Sequence, residues 1–271
     1  MNTTLLVSTR NRGKLLRQSL ERLIYLALPA ELIVVDDGGE DETEDVVIAF
    51  ANSVDIDVRY IYTHNPGPTI CSHARNVGVK AAQHDWIVTT EPELCFRTDV
   101  LAQFAQLQSQ HPGSVISAGR VWFAPEGHAP NFSGDPGWET AGDYVPPSGA
   151  KDAIGWVAPY AALWHRSWLL DVGGWDEDFP GYWGWDDIDL LTRLRYRGHG
   201  QHIALEVEAV HLFHGLGGDD NFRNEHHFFS KSFTHGQEKH RCNMECQADP
   251  DQTRDLIANR GREWGVPKLR P

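Results

Sequence analysis

Cysteine is scarce in this chain, with four in 271 residues. Cys71, Cys95, Cys242 and Cys246 are too few and too scattered for a disulfide framework, which fits a reducing compartment. Long apolar runs are missing as well. No segment approaches the roughly 18–20 apolar residues that a membrane span needs. Thr4–Ser8 is too short for the apolar region of a secretory leader and runs into polar Thr9-Arg10-Asn11-Arg12. These absences set the expectation of a cytoplasmic protein with no transmembrane segment. Basic residues are in deficit too, 24 Lys and Arg against 38 Asp and Glu, for a net charge of −14. Such a chain repels phosphate backbones and anionic membranes, so a nucleic-acid partner is disfavoured.

What is present suffices for one substantial core, and a single large α/β domain with a tail is expected. Leu5–Ser8 reads as a strand and Arg12–Leu26 as a helix behind an Asn11 cap, with Leu15, Leu16, Leu20, Leu23 and Ile24 on one face. Leu32–Val35 is apolar throughout, as a parallel strand covered on both faces must be. A helix over 42–51, a strand around Val58–Tyr62, a helix around Ser72–Ala82, a strand at Trp86–Thr89 and a helix from Asp99 complete four β-α units. That repetition implies right-handed crossovers and a mainly parallel sheet with its ligand at the C-terminal strand ends. A strand at Ser114–Phe123 precedes an aperiodic stretch, 124–150, rich in Pro, Gly and Asp, which is expected to be a functional loop. Gly155–Trp164 and His202–Phe213 read as further strands, and the part from Gly215 is polar, His-rich and weakly helical.

The most informative stretch is 173–198, where Trp175, Tyr182, Trp183 and Trp185 crowd against Asp186-Asp187-Ile188-Asp189. Sugar rings stack on indoles while their hydroxyls bond to carboxylates, and one carboxylate can remove a proton from an attacking hydroxyl. The stretch therefore suggests an acceptor site. Ile188, Leu191 and Leu194 make the buried stripe of a helix with Asp186 as its N-cap and Asp189 closing a capping-box-like pair. Asp187 has no such duty and stands in the first turn, where the helix dipole favours a carboxylate.

Four motifs occur in order: Val7-Ser8-Thr9-Arg10-Asn11-Arg12, Leu32-Ile33-Val34-Val35-Asp36-Asp37-Gly38-Gly39-Glu40-Asp41, Ala74-Arg75-Asn76-Val77-Gly78, and Gly173 to Leu194. Together they resemble an inverting glycosyltransferase of family 2, or a close relative with the A-type glycosyltransferase fold, and the last is similar to an acceptor region shared with galactosyltransferases. The resemblance implies a Rossmann-like α/β catalytic domain over 1–214, with a nucleotide-sugar half (1–110) and an acceptor half (111–214), followed by a mobile loop and extension over 215–271. It implies a nucleoside diphosphate sugar donor, UDP-linked, and a glycan or small-molecule acceptor. Thr9, Arg10, Asp36, Asp37, Arg75, Asn76 and Glu91 would serve the donor, Trp183, Trp185 and Asp186 the acceptor, and Asp187 would be the base. Plain turn chemistry also accounts for Asp36 and Asp37, and a solvated helix face for Arg75 and Asn76.

Where the family carries Asp-x-Asp, this chain has Glu91-Pro92-Glu93. Two carboxylates one residue apart still suit Mn²⁺ or Mg²⁺ bridging a diphosphate. In a cleanly alternating strand His211 would lie with Leu205, Val207 and Ala209 on the apolar face and His214 on the other. His214 is thus the better third ligand, matching the His that related enzymes place before a mobile loop, and His211 is read as a buried core residue. Gly215–Asn221 has the composition of a lid or of an ordinary polar linker. His235, His240, Cys242 and Cys246 fit structural-zinc spacing poorly. A sugar-nucleotide-forming nucleotidyltransferase and a catalytically silent sugar-nucleotide-binding module are the alternatives to a transferase.

Overall fold

The first strand of the computed structural model, β1 (Thr3–Thr9), already sets a layered plan. Successive side chains leave a strand on opposite faces. Leu5 and Val7 therefore join one core with Leu16 and Leu20 of α1 (Gly13–Leu23), Val46 and Phe50 of α2 (Thr43–Ala51) and Phe104 of α4 (Val100–Gln110). Leu6 joins another with Val77 of α3 (Cys71–Ala81), Leu169 of α5 (Arg166–Asp171) and Leu190 and Leu194 of α6 (Asp186–Tyr196). Helices cover both faces, so β2 (Glu31–Asp36) is buried at every position. The structure describes residues 1–67, 71–132, 142–143, 158–179, 184–215, 221–231 and 255–267.

β3 (Asp57–Tyr62), β2, β1 and β4 (Trp86–Thr90) are parallel neighbours, as the β-α repetition predicts. Beyond β4 the sheet is mixed. β8 (Ala162–His165) lies antiparallel between β4 and β6 (Ser114–Phe123), β9 (Gly200–His211) runs parallel to β6, and β5 (Leu94–Phe96) pairs antiparallel with β9. The two-residue β7 (Gly142–Asp143) pairs with β6. α7 (Asn221–Phe229) follows β9. No helix among the described residues is long and apolar enough to cross a membrane.

Two glycines are required by close approach. A Cβ at Gly78 would lie 2.1 Å from Leu6 Cδ1, so this position lets α3 sit down on β1. At Gly119 a Cβ would lie 2.6 Å from the Ala204 carbonyl carbon, where the β6/β9 register slips between Ala118 and Arg120. β9 accommodates two extra residues there, and Leu205 and Glu206 are both exposed as a result.

Several local expectations are corrected. Asn11 does not cap α1: it has a left-handed backbone (φ 54°), and its Oδ1 accepts from the Glu40 N–H instead. Asp186 is not the N-cap of α6, because that place belongs to Trp185, also left-handed at φ 67°. Asp189 closes no capping box. It is buried in an ion network, accepting from Arg193 Nε at 2.8 Å and from Lys231 Nζ at 2.5 Å, while Lys231 also reaches Asp176 at 2.7 Å. β5 and α5 were not expected, and the strand expected over 155–164 is realised only from Ala162, with 155–157 outside the described residues.

Candidate functional site

The parallel strands end together at Thr9, Asp36 and Thr90, and the cleft opens beyond those ends, where an α/β sheet presents its ligand site. On one side stands the turn after β2. Asp37 is fully buried, with Oδ1 accepting from Thr63 Oγ1 and Oδ2 from Asn65 Nδ2, each at 2.9 Å. His73 Nδ1, itself buried, lies 3.9 Å from the same Oδ1. Asp36 accepts from the Tyr60 hydroxyl at 2.8 Å and from the Gly39 N–H at 2.7 Å, and burial raises its carboxyl above the ordinary range. Arg10 Nη1 donates to the Gly67 carbonyl. Thr9 Oγ1 and Thr90 Oγ1 are buried without a hydrogen-bond partner.

At the centre, Glu93, His211 and His214 offer three ligand atoms that all lie within 4.8 Å of one another. His214 Nε2 is 3.1 Å and His211 Nε2 3.8 Å from Glu93 Oε1, and Arg12 Nη1 approaches the same oxygen at 3.8 Å. Among the described residues Glu93 Oε2 is buried with no hydrogen-bond partner, an acceptor left open to a ligand. One carboxylate and two imidazoles fit a divalent cation. Burial favours the neutral form of Glu93, yet the His214 bond and the Arg12 and His211 charges outweigh it and lower its pKa.

The reading of His211 as a core residue is therefore corrected. It does share a face with Val207 and Ala209, but β9 ends at this residue and that face opens into the cleft, where His211 stacks on Phe123. Once the strand has ended, alternation no longer separates residues 211 and 214, and both imidazoles converge. Glu91, expected as a ligand, stands outside the triad with Oε2 3.8 Å from His211 Nε2. Burial, then repulsion by Glu93, raises its pKa, and Arg75 opposes the shift.

On the far side α6 delivers its carboxylates. Arg75 Nη1 donates to Asp186 Oδ2 and to Asp187 Oδ1, both at 3.1 Å, and the Trp175 indole N–H donates to the same Asp187 Oδ1 at 2.7 Å. Among the described residues nothing donates to Asp187 Oδ2. Asp186 is pushed upward by burial and by its neighbour Asp187, with Arg75 opposing. Glu91 feels the charges of Arg75, Asp187 and Asp186 as well as that of Glu93. Trp185 packs on Phe228 of α7 at 5.2 Å between ring centroids, and Trp183 lies outside the described residues.

Two of the sequence-nominated donor residues are turned inward. Asn76 is fully buried: its Nδ2 donates to the Trp175 carbonyl (2.8 Å) and to Glu177 Oε1 (2.9 Å), and its Oδ1 accepts from the Trp175 N–H (2.8 Å). Its amide holds the loop before α6 and faces no donor. Arg75 is engaged with Asp186 and Asp187, not displayed on a solvated face. Sequence reasoning missed His211, Arg12 and the Trp175 indole, although the His-x-x-His spacing at 211 and 214 was a usable signal. The zinc-like group His235, His240, Cys242 and Cys246, most of the 124–150 stretch, and 216–220 of the lid stretch fall outside the described residues.

Known proteins resemble this chain. Validoxylamine A glucosyltransferase of Streptomyces hygroscopicus subsp. jinggangensis (strain 5008) is 29% identical over 250 residues, covering 77% of this chain and 55% of the relative. Poly(ribitol-phosphate) beta-N-acetylglucosaminyltransferase TarS of Staphylococcus aureus (strain Mu50 / ATCC 700699) is 25% identical over 119 residues, 43% of this chain and 20% of that one. The chain thus spans about half the length of the first of these curated relatives, and less of the second. The mannosyltransferase PcManGT from Pyrobaculum calidifontis, solved with GDP-Man and Mn²⁺, superposes with a TM-score of 0.61 at 18% identity over 94% of this chain and 68% of its own. GalNAc-T7 with UDP, GalNAc and Mn²⁺ gives 0.64 at 14% identity over 85% and 48%. These structures establish the likeness of fold. The model of the glycosyl transferase family 2 matches residues 4–162, more than half of the sequence. The chain therefore belongs to glycosyl transferase family 2.

Proposed function

We propose that this protein is an inverting glycosyltransferase that moves a hexosyl group from a UDP-linked sugar to an acceptor hydroxyl, with Asp187 as the general base. The observation that carries this reading is the cluster of Glu93, His211 and His214, with Glu91 Oε2 3.8 Å from His211 Nε2, together with the bond from Arg75 to Asp187. With Oδ1 engaged by Trp175 and Arg75, Oδ2 is the oxygen that takes the acceptor proton. The freed alkoxide attacks the anomeric carbon from the face opposite the nucleotide, that C–O bond to the diphosphate breaks, and the configuration inverts.

Thr9, Asp37 and the turn after β2 hold the nucleoside, and Arg12 faces the departing diphosphate beside Glu93. Glu93, His211 and His214 would hold a divalent cation such as Mn²⁺, which would supply charge neutralisation to the leaving group. Trp185 borders the acceptor, and Asp186 bonds one of its hydroxyls. The relative that acts on validoxylamine A makes that compound a suitable first acceptor probe.

The test is a thermal-shift screen of UDP-glucose, UDP-GlcNAc and GDP-mannose with and without Mn²⁺, since a ligand of the native state raises its apparent stability. Product analysis follows. A released nucleoside diphosphate with an inverted glycoside supports the proposal. Released pyrophosphate points to a nucleotidyltransferase, binding without turnover to a silent module, and retained configuration overturns the direct displacement.

A further inference from the structure

We infer that Trp175 is a positioning residue that selects which oxygen of Asp187 does the chemistry. The inference rests on the proposed base role of Asp187 and goes beyond it, because it explains why one oxygen of a symmetric carboxylate is reactive. A carboxylate on a two-torsion side chain can present either oxygen unless something fixes it. Here Oδ1 receives two donors, the Trp175 indole N–H at 2.7 Å and Arg75 Nη1 at 3.1 Å. The shorter bond comes from the neutral donor, so the indole does not merely follow the charge. It is also the more rigid of the two, since Arg75 divides itself between Asp187 and Asp186.

The indole is itself built in. Trp175 is fully buried, packs edge-on against Trp164 at 5.5 Å between centroids, and lies under the Arg75 guanidinium at 5.6 Å. Its backbone is fixed from two distant parts of the chain. Asn76 of α3 pairs with both its N–H and its carbonyl, and Asn259 Nδ2 donates to that carbonyl at 2.7 Å and to the Gly173 carbonyl at 2.9 Å. A core tryptophan needs packing, not a backbone clamp from both sides. The clamp makes sense when the direction of the N–H matters. The signal is also specific to the indole, since a hydrocarbon ring in its place would donate nothing.

The experiment replaces Trp175 by phenylalanine and, separately, by β-(3-benzothienyl)alanine, which keeps the bicyclic shape and exchanges N–H for sulfur. Hydrolysis of UDP-glucose, UDP-GlcNAc or GDP-mannose, whichever the binding screen selects, is followed with Mn²⁺ and water as the acceptor. Both replacements are expected to lower kcat by about 10- to 100-fold, the weight of a hydrogen bond to a charged group, with donor KM and the donor-induced thermal shift unchanged. A merely structural role would instead spare the isosteric replacement. Wild-type kcat in the benzothienyl protein, or a loss confined to KM, overturns the inference. Asp187→Asn run beside them separates the two levels: if it turns over normally the base role itself fails, and if it is silent while the benzothienyl protein is fast, only the role of Trp175 fails.

Discussion

Helix α6 carries two kinds of buried carboxylate within four residues, and they are treated in opposite ways. Asp189 shares Lys231 with Asp176 and has Arg193 one turn along, so two acids face two bases with short contacts throughout. Burial alone would raise Asp176, but bonds from His227 and Lys231 hold it far below the ordinary carboxylate range. Among the described residues Asp186 and Asp187 share one cation, Arg75, whose charge Glu91 also feels, and both Asp186 and Glu91 are raised. The first group is electrostatically complete and holds α6 against α7. The second carries surplus negative charge in a cleft, the state in which a carboxylate is available to a proton, a hydroxyl or a metal ion.

The largest effect expected to sharpen this contrast is Asp187→Asn, which should lower transfer by about 10³- to 10⁴-fold while leaving donor binding intact, as measured by steady-state kinetics and thermal shift. Lys231→Met attacks the complete group. It leaves two buried acids short of a partner and should cost about 3 kcal/mol in urea unfolding, and a loss below about 1 kcal/mol would show that the pairing is dispensable. Glu93→Gln tests whether the central group lacks a cation. Mn²⁺ affinity by calorimetry should fall by about 100-fold, or ~2.7 kcal/mol, with no loss of folding stability.

The smallest effect concerns pH. Because the folded-state pKa of Asp186 is raised, the native protein binds its proton more tightly than the unfolded chain, and stability from this group declines as pH climbs past the usual carboxylate value. Asp186→Asn should therefore gain about 1 kcal/mol at pH 7 and lose that advantage near pH 4. Asp176 carries the opposite sign. Its lowered pKa contributes stability at neutral pH that disappears as pH falls through the folded value. Urea titrations of the wild type and of Asp186→Asn across this range would break the comparison if both groups moved stability the same way.

The parallel half of the fold was legible because local pattern and burial coincide there: β2 is apolar and covered on both faces, and Gly78 marks a close helix-strand contact. Position was legible where residues stand near the ends of regular elements, as with Asp37 after β2, Glu93 after β4, His214 after β9 and Asp187 in the first turn of α6. It was hidden where partners are remote or geometry is irregular. Asp189 looked like a cap because Lys231, its partner, lies 42 residues away. Trp185 could not be read as the N-cap, since nothing in a tryptophan signals a left-handed backbone. Alternation placed His211 on the face of Val207 and Ala209, but nothing in it signals that the strand's last residue stands beside Glu93 and His214.

The grip of Asn259 on residues 173 and 175 has a consequence for protein engineering. The span recognised as family 2 stops at residue 162, yet the loop whose Trp175 indole bonds Asp187 is tethered by a segment nearly a hundred positions later. Trimming or fusing at the C-terminal side would leave the parallel sheet standing while slackening the setting of Asp187, the base proposed above, so successful expression and nucleotide capture would be misleading surrogates for a working enzyme.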